Sequence, residues 1–160
     1  MDADYQKGDD DINTGSAQEF ESESSPSPII VELITYGKRH GKPGNLDHYW
    51  NCTTIPNPST TARKGRTGRD KRLRTEVMKE EKAQEIVTLA VEDLQERIAS
   101  LKAHDKTETE TGRGDGIYIG FGCACGKHRS VSVAIKVHEI LRQMKLVNVA
   151  VKVTHRDIER

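Results

Sequence analysis

The sequence predicts an α/β fold with a small sheet of about four strands and crossover helices, preceded by a disordered acidic N-terminal tail. Short β-branched segments alternate with longer segments in which apolar residues recur every three or four positions. Their order, β, β, α, β, α, β, is typical of parallel strands joined by right-handed crossovers. Residues 1–28 are therefore assigned to the tail and linker, and residues 29–160 to one domain.

Charge divides the chain at the same boundary. Residues 1–28 contain eight acids and one base, whereas residues 29–160 carry a net charge of +7 within a chain of zero formal net charge. A basic domain attracts phosphate-rich partners. The acidic tail either competes for that basic surface or only aids solubility.

Cysteine content and hydropathy indicate the cellular compartment in which the protein is expected. Three cysteines are too few and too odd in number for a disulfide framework, and the N-terminus lacks an apolar signal segment. No run of about 18 apolar residues occurs, so no membrane contact is expected. We therefore predict a reducing compartment, with the cytoplasm as the first choice and the nucleus as the second.

Two strands are predicted in the first half of the domain. Residues 29–35 are β-branched and almost continuously apolar, as expected of a strand covered on both faces. A short basic loop follows at residues 37–44, at a position where open α/β sheets bind ligands. Residues 48–55 form the second predicted strand, which the prolines at 56 and 58 terminate.

A strongly basic segment follows the second strand at residues 59–75. Its bases outnumber its acids by seven to one between positions 63 and 74, as expected of a contact with RNA or another polyanion. A solvated loop and a nuclear localisation patch explain such a run equally well. The seven bases are Arg63, Lys64, Arg66, Arg69, Lys71, Arg72 and Arg74.

The remaining elements alternate between helix and strand. Apolar residues at helical spacing predict helices over residues 76–104 and 130–144. Strands are predicted at 117–119 and 147–153, and residues 107–116 form a polar surface connection. The two helices are expected to pack on the sheet.

The chain is organised around the segment from Ile117 to Val131, where a strand runs into a glycine-rich loop and then a helix. Gly120, Gly122 and Gly126 are expected to let the backbone turn tightly. Unpaired N–H groups at a helix start, beside the basic residues at 127–129, form a natural site for an anion such as phosphate.

One interpretation of this loop is catalytic. Cys123, Gly126, Arg129 and Ser130 have the Cys-x-x-Gly-x-x-Arg-Ser spacing of cysteine-dependent phosphatases. There, amides surround the phosphoryl group, the arginine binds two of its oxygens, and the helix start lowers the pKa of the nucleophilic thiol. Position 122 is glycine rather than that family's histidine, and no acid is an obvious proton donor. Catalysis by Cys123 and Arg129 is therefore the alternative, not the leading hypothesis.

Two further interpretations involve no catalysis. Cys123, Cys125 and His128 could bind zinc with Cys52 or His155, but Cys-x-Cys-x-x-His is a weak zinc spacing. The other interpretation is a phosphate cradle in which Cys123 is a small buried residue. We favour the cradle and expect no metal and no cofactor.

Several segments, in order along the chain, resemble one protein family. Residues 119–131, Ile-Gly-Phe-Gly-Cys-Ala-Cys-Gly-Lys-His-Arg-Ser-Val, are similar to the Ala-Ile-Gly-Cys-Thr-Gly-Gly-Lys-His-Arg-Ser-Val signature of the RapZ family of RNase adapter proteins. Residues 36–41 are similar to its Phe-Gly-aromatic-Lys-His-Gly loop, and residues 55–58 to its Leu-Pro-Asn-Pro. Residues 67–70 and 154–159 are similar to its Thr-Gly-Leu-Asp and its C-terminal His-Arg end.

The resemblance covers only the C-terminal domain of that family, and no Walker A sequence occurs here. It implies a non-catalytic module that binds RNA and a phosphorylated amino sugar such as glucosamine 6-phosphate, and that forms homo-oligomers. The implied ligand-binding residues are His40, Gly122, Cys123, Gly126, Lys127, His128, Arg129 and Ser130.

Departures from the family pattern lie inside the ligand loop and at the C-terminus. Ala124 and Cys125 stand where the family has threonine and glycine, so one hydroxyl donor is lost. The family's lysine-rich end is reduced to Arg156 and Arg160. The implied RNA surface therefore combines Arg156 with the seven bases at 63–74.

Overall fold

The computed structural model describes residues 27–104 and 116–160. Within them, four parallel strands form one sheet in the order β2-β3-β1-β4, which confirms the predicted fold class. The strands are β1 (Ile29–Gly37), β2 (His48–Asn51), β3 (Gly116–Cys123) and β4 (Val149–His155). The predicted acidic tail up to residue 26 and most of the predicted connection at 107–116 lie outside the described residues.

Four helices accompany the sheet. They are α1 (Thr60–Arg63), α2 (Lys71–Val77), α3 (Glu81–Ala103) and α4 (Arg129–Gln143). Single 3₁₀ turns follow β1 at Lys38–His40 and β2 at Cys52–Thr54. Among the described residues, no helix is both long and apolar enough to cross a membrane.

The hydrophobic core lies between one face of the sheet and the helices α3 and α4. Alternate residues of β3, namely Ile117, Ile119 and Phe121, are buried in one cluster with the apolar residues of both helices. Gly120 of β3 leaves room for the side chain of Leu46, because a Cβ atom at position 120 would lie 2.5 Å from the Leu46 Cδ1 atom. The β1–β2 connection therefore covers part of the opposite face.

The basic segment is more ordered than the sequence predicted, because two capping side chains start helices within it. The Ser59 hydroxyl accepts a hydrogen bond from the N–H of Ala62, and the Asp70 carboxylate accepts from those of Arg72 and Leu73. The helix predicted over 76–104 begins later than expected, at Glu81, because Glu76 and Val77 belong to the end of α2.

Strand boundaries were also predicted wrongly, and β4 runs two residues later than the predicted 147–153. Strand β2 ends at Asn51 rather than at residue 55, because the Asn51 side chain caps the following 3₁₀ turn by accepting the Thr53 N–H. Strand β3 continues to Cys123, so Gly120 and Gly122 belong to the strand and do not form a tight turn. Of the three glycines, only Gly126 has a positive φ, of 76°.

A substitution at Gly126 tests how closely the chain after β3 packs against β1. A Cβ atom at Gly126 would lie 2.5 Å from the Gly37 nitrogen, in addition to the cost of a positive φ. We expect Gly126→Ala to lower the free energy of unfolding by about 2–5 kcal/mol. Denaturant unfolding measures this change.

Gly65→Ala is the matched control, because Gly65 has a φ of 66° but open space around it. Its expected cost is only the backbone term of about 1–2 kcal/mol. Equal losses in the two variants would contradict the close contact between Gly126 and β1.

Candidate functional site

The last residues of the four parallel strands meet at one edge of the sheet. These residues are Gly37, Asn51, Cys123 and His155. The segments that follow them include the basic 3₁₀ turn after β1 and the glycine-rich loop, defined here as residues 124–128. Ligands of open parallel sheets bind at this carboxyl edge, so these segments form the candidate site.

The glycine-rich loop lies directly on the end of β1. A Cβ atom at Gly37 would be 2.6 Å from the backbone of Cys125, so the two chains approach as closely as glycine allows. The Arg39 N–H donates to the Ala124 carbonyl oxygen over 3.2 Å. His40, the next residue of this turn, is exposed.

Cys123 lies beneath the loop with its sulfur surrounded by hydrogen-bond donors. The thiol is only 3% exposed, and its Sγ lies 3.1 Å from the Ser130 Oγ. Burial by itself would raise the pKa of Cys123. Hydrogen bonds from the Ser130 hydroxyl and from the backbone of Ser130, Gly126 and His128 outweigh burial and lower that pKa below its usual value. The site can therefore stabilise a negative charge that is largely shielded from water.

Further donors remain on the outer side of the loop. Among the described residues, no acceptor receives a hydrogen bond from the backbone N–H groups of Ala124, Cys125 or Lys127. All three residues are half-buried, so the loop that carries these groups is partly exposed to solvent. Unpaired N–H groups in such a position are suited to an anion.

The Arg129 side chain is hydrogen-bonded within the protein, unlike an arginine that is free to bind a phosphate. The residue is only 9% exposed, and its Nη1 donates to the carbonyl oxygens of Thr53 at 3.1 Å and Ile55 at 2.8 Å. It thus joins the start of α4 to the segment after β2. Ser130 is fully buried against Cys123, and Gly122 lies under the Tyr36 ring.

The basic segment contacts the glycine-rich loop, which the sequence alone did not indicate. The Gly68 N–H donates to the Lys127 carbonyl oxygen at 2.7 Å, and the His128 Nε2 donates to the Arg66 carbonyl oxygen at 3.0 Å. Burial, together with the nearby positive charges of Arg63 and Lys127, lowers the pKa of His128. His128 is therefore neutral near pH 7 and acts as a hydrogen-bond donor to the chain.

The eight bases predicted to contact RNA separate into two groups of four. In the first group, Arg63, Arg66 and Arg74 are half-buried and donate to backbone carbonyl oxygens nearby in sequence. Arg156, also half-buried, donates to the carbonyl oxygens of residues 40 and 41. These four side chains mainly hold loops in place.

The second group consists of exposed cations. Its members are Lys64, Arg69, Lys71 and Arg72, of which Arg69 pairs loosely with Glu159 at 3.5 Å. They present positive charge to solvent beside the glycine-rich loop. The surface available to a polyanion is therefore smaller than the sequence cluster.

A groove between α2 and α4 extends this exposed charge. Its volume is about 430 Å³, and its lining includes Lys71, Arg74, Lys79 and Lys136, with Glu139 as its one acid. Sequence reasoning missed this groove because Lys79 lies in the turn after α2 and Lys136 lies in α4, 57 positions apart in the chain. Local spacing does not show that these two segments meet.

Asp157 was also missed, although it organises the carboxyl edge. Its carboxylate is completely buried, accepts the Gly37 N–H at 2.8 Å, and pairs with Arg156 at 2.8 Å and Arg160 at 3.3 Å. Burial alone would raise its pKa, but the hydrogen bonds from Arg156 and Gly37 outweigh burial and keep the pKa below its usual value. The C-terminus thereby fixes the end of β1.

The zinc interpretation finds no support in the arrangement of the described residues. Among residues 27–104 and 116–160, no three histidine, cysteine, aspartate or glutamate side chains are placed to hold a metal ion. The His155 Nδ1 instead lies 2.9 Å from the Thr35 hydroxyl, and burial lowers the pKa of His155 to about 4.

Fold and site together define a small parallel α/β domain with a glycine-rich strand-loop-helix connection at the carboxyl edge of its sheet. Residues 29–159 match the family described as the RapZ C-terminal domain. The chain belongs to this family, which confirms the resemblance drawn from the separate segments.

Relatives in bacteria share this part of the chain. The similar proteins include a "Nucleotide-binding protein" of Clavibacter michiganensis, 31% identical over 133 residues that cover 82% of this chain and 42% of the relative. A protein of the same name from Rubrobacter xylanophilus is 31% identical over 140 residues, 86% of this chain and 43% of the relative. This chain thus spans less than half the length of these relatives.

Proposed function

We propose that this domain is a non-catalytic module that binds the phosphate group of a small metabolite on the outer side of the glycine-rich loop. The observation that carries the proposal is the set of unpaired N–H groups of Ala124, Cys125 and Lys127 at the loop surface. They precede α4, a helix of 15 residues, whose dipole favours a negative charge at its start.

Cationic side chains border these donors. His40 and Lys38 are exposed on the turn that is hydrogen-bonded to the loop, and Lys127 belongs to the loop itself. A phosphate bound here would meet both N–H groups and positive charge.

The family relatives support the class of ligand. Proteins whose printed name is "nucleotide-binding protein" share the matched segment, although that segment is less than half of each. The sequence resemblance names an amino sugar phosphate, of which glucosamine 6-phosphate is the first to test. Ala124 supplies no hydroxyl donor, so recognition of phosphate is expected to exceed recognition of the sugar.

Calorimetric titration of the protein with glucosamine 6-phosphate, with a nucleoside monophosphate and with inorganic phosphate tests the proposed class of ligand. We expect at least one of the organic phosphates to bind, and Lys127→Ala to weaken its Kd about tenfold through loss of a charged contact. Arg142→Ala is the control, because Arg142 is exposed at the other end of α4. Absence of binding by all three compounds, or an equal loss in the control, would disprove the assignment.

We also propose that the exposed cations beside the loop bind RNA. Four exposed bases, Lys64, Arg69, Lys71 and Arg72, lie in α2 or in the segment before it, and the α2–α4 groove adds Lys79 and Lys136 to the exposed positive charge. Contacts of this kind bind phosphates of the RNA backbone without reading its sequence.

Salt dependence tests the RNA surface. Removing two cations in Lys71→Ala/Arg72→Ala is expected to weaken binding of single-stranded RNA and to reduce the slope of log K against log salt by about 1.4, or about 0.7 per lost contact. Arg142→Ala should leave the slope unchanged. No detectable binding at low salt would eliminate this half of the proposal.

A cysteine-dependent phosphatase is the second candidate function. The contact between the Cys123 sulfur and the Ser130 hydroxyl, together with the lowered pKa of Cys123, favours it. Two features oppose it. Arg129 donates to two carbonyl oxygens, and the buried carboxylate of Asp157 is already paired with arginines, leaving it unsuited to proton donation.

Hydrolysis of an aryl phosphate distinguishes catalysis from binding. We expect no turnover between pH 5 and 8, because Arg129 is held by two carbonyl oxygens and Asp157 is paired with arginines. Turnover that disappears in Cys123→Ser would instead establish the phosphatase and overturn the non-catalytic assignment.

A further inference from the structure

Two buried cysteines meet at the carboxyl edge. Asn51 of β2 pairs with Gly122 of β3, and the residues that directly follow this pair are Cys52, the first residue of the 3₁₀ turn after β2, and Cys123, the last residue of β3. Both belong to the same buried cluster, and the negative charge of the Cys123 thiolate raises the pKa of Cys52. Neighbouring strands lie about 4.8 Å apart, which is within the Cα separation of about 4.4–6.8 Å that a disulfide spans.

The two thiols have opposite chemical character. The Cys123 sulfur receives hydrogen bonds from the Ser130 hydroxyl and from three backbone positions, which favour its thiolate form. Cys52 is completely buried, and burial, followed by the negative charge of Cys123, raises its pKa. A nucleophilic sulfur therefore lies beside a protonated one.

We propose that Cys123 and Cys52 form an oxidation site at which hydrogen peroxide converts Cys123 to a sulfenic acid and Cys52 then forms a disulfide with it. In the first step, the Cys123 thiolate attacks one peroxide oxygen, the O–O bond breaks, and hydroxide leaves and takes up a proton as water. Sulfur is oxidised by two electrons and the peroxide is reduced. In the second step, the Cys52 sulfur attacks the sulfenic sulfur, and its proton leaves with the departing hydroxide as water.

The first step prepares the second. Oxidation of Cys123 removes the negative charge that contributes to the raised pKa of Cys52, so deprotonation of Cys52 becomes easier. The narrow access to Cys123, which is 3% exposed, admits a small neutral oxidant more readily than a bulky one. A transient disulfide of this kind fits a reducing compartment, where such bonds act in redox sensing.

The disulfide would change the glycine-rich loop. Drawing the Cys123 sulfur toward Cys52 removes the acceptor that the backbone of Gly126 and His128 now uses. Buried donors that lose their acceptor are costly, so the loop is expected to rearrange. The oxidation itself does not depend on any ligand, and its test is therefore independent of the proposed binding function.

Peptide mapping of the peroxide-treated full chain tests this site. The reduced protein is treated with hydrogen peroxide, quenched in denaturant with an alkylating reagent, and digested without reduction. We expect a cross-linked peptide joining residues 52 and 123. In Cys52→Ser the cross-link should disappear, and oxygen should accumulate on Cys123. Cys125→Ser should retain the cross-link.

Two serine variants test the role of the hydrogen bond to sulfur. Ser130→Ala is expected to slow cross-linking about threefold or more, because the thiolate is then less stabilised. Ser132→Ala is the control, since the Ser132 hydroxyl donates to the His128 carbonyl oxygen in the same turn of α4. A cross-link between residues 123 and 125, oxidation chiefly at Cys125, or three unmodified cysteines would overturn the proposal.

Discussion

The close contact between the end of β1 and the glycine-rich loop is the constraint on which the carboxyl edge depends. Gly37 and Gly126 let the two backbones approach so closely that a Cβ atom on either would overlap its neighbour. Asp157 holds the same Gly37 from the other side through its N–H. The loop after β3, the turn after β1 and the C-terminus are therefore positioned by one residue at the end of a central strand.

Charge at this edge serves both structure and binding. Arg129, Arg156 and the half-buried arginines of the basic segment donate to carbonyl oxygens or pair with Asp157, and so connect the loops to one another. The N–H groups of the loop and the exposed cations near α2 remain for partners. A net charge of +7 in residues 29–160 thus overstates the positive charge available to a ligand.

Local pattern predicted the fold and the strand-loop-helix connection after β3, but not the contacts between distant segments. Alternation and helical spacing identified four strands and the long helices, and the glycine-rich loop was found from its own residues. Capping by Asn51 and Asp70 moved element boundaries, because a single hydrogen bond outweighs propensity there. The packing of Gly68 on α4, the burial of Asp157 and the meeting of Lys79 with Lys136 depend on tertiary structure that spacing does not show.

Backbone amide shifts during titration with glucosamine 6-phosphate test the central claim most directly, because they report on each N–H group separately. Our account predicts that the largest changes occur at Ala124, Cys125 and Lys127, the loop residues whose N–H groups have no acceptor within residues 27–104 and 116–160. Changes confined to residues remote from the carboxyl edge, or a loop unaffected by any phosphorylated compound, would contradict the proposed phosphate cradle.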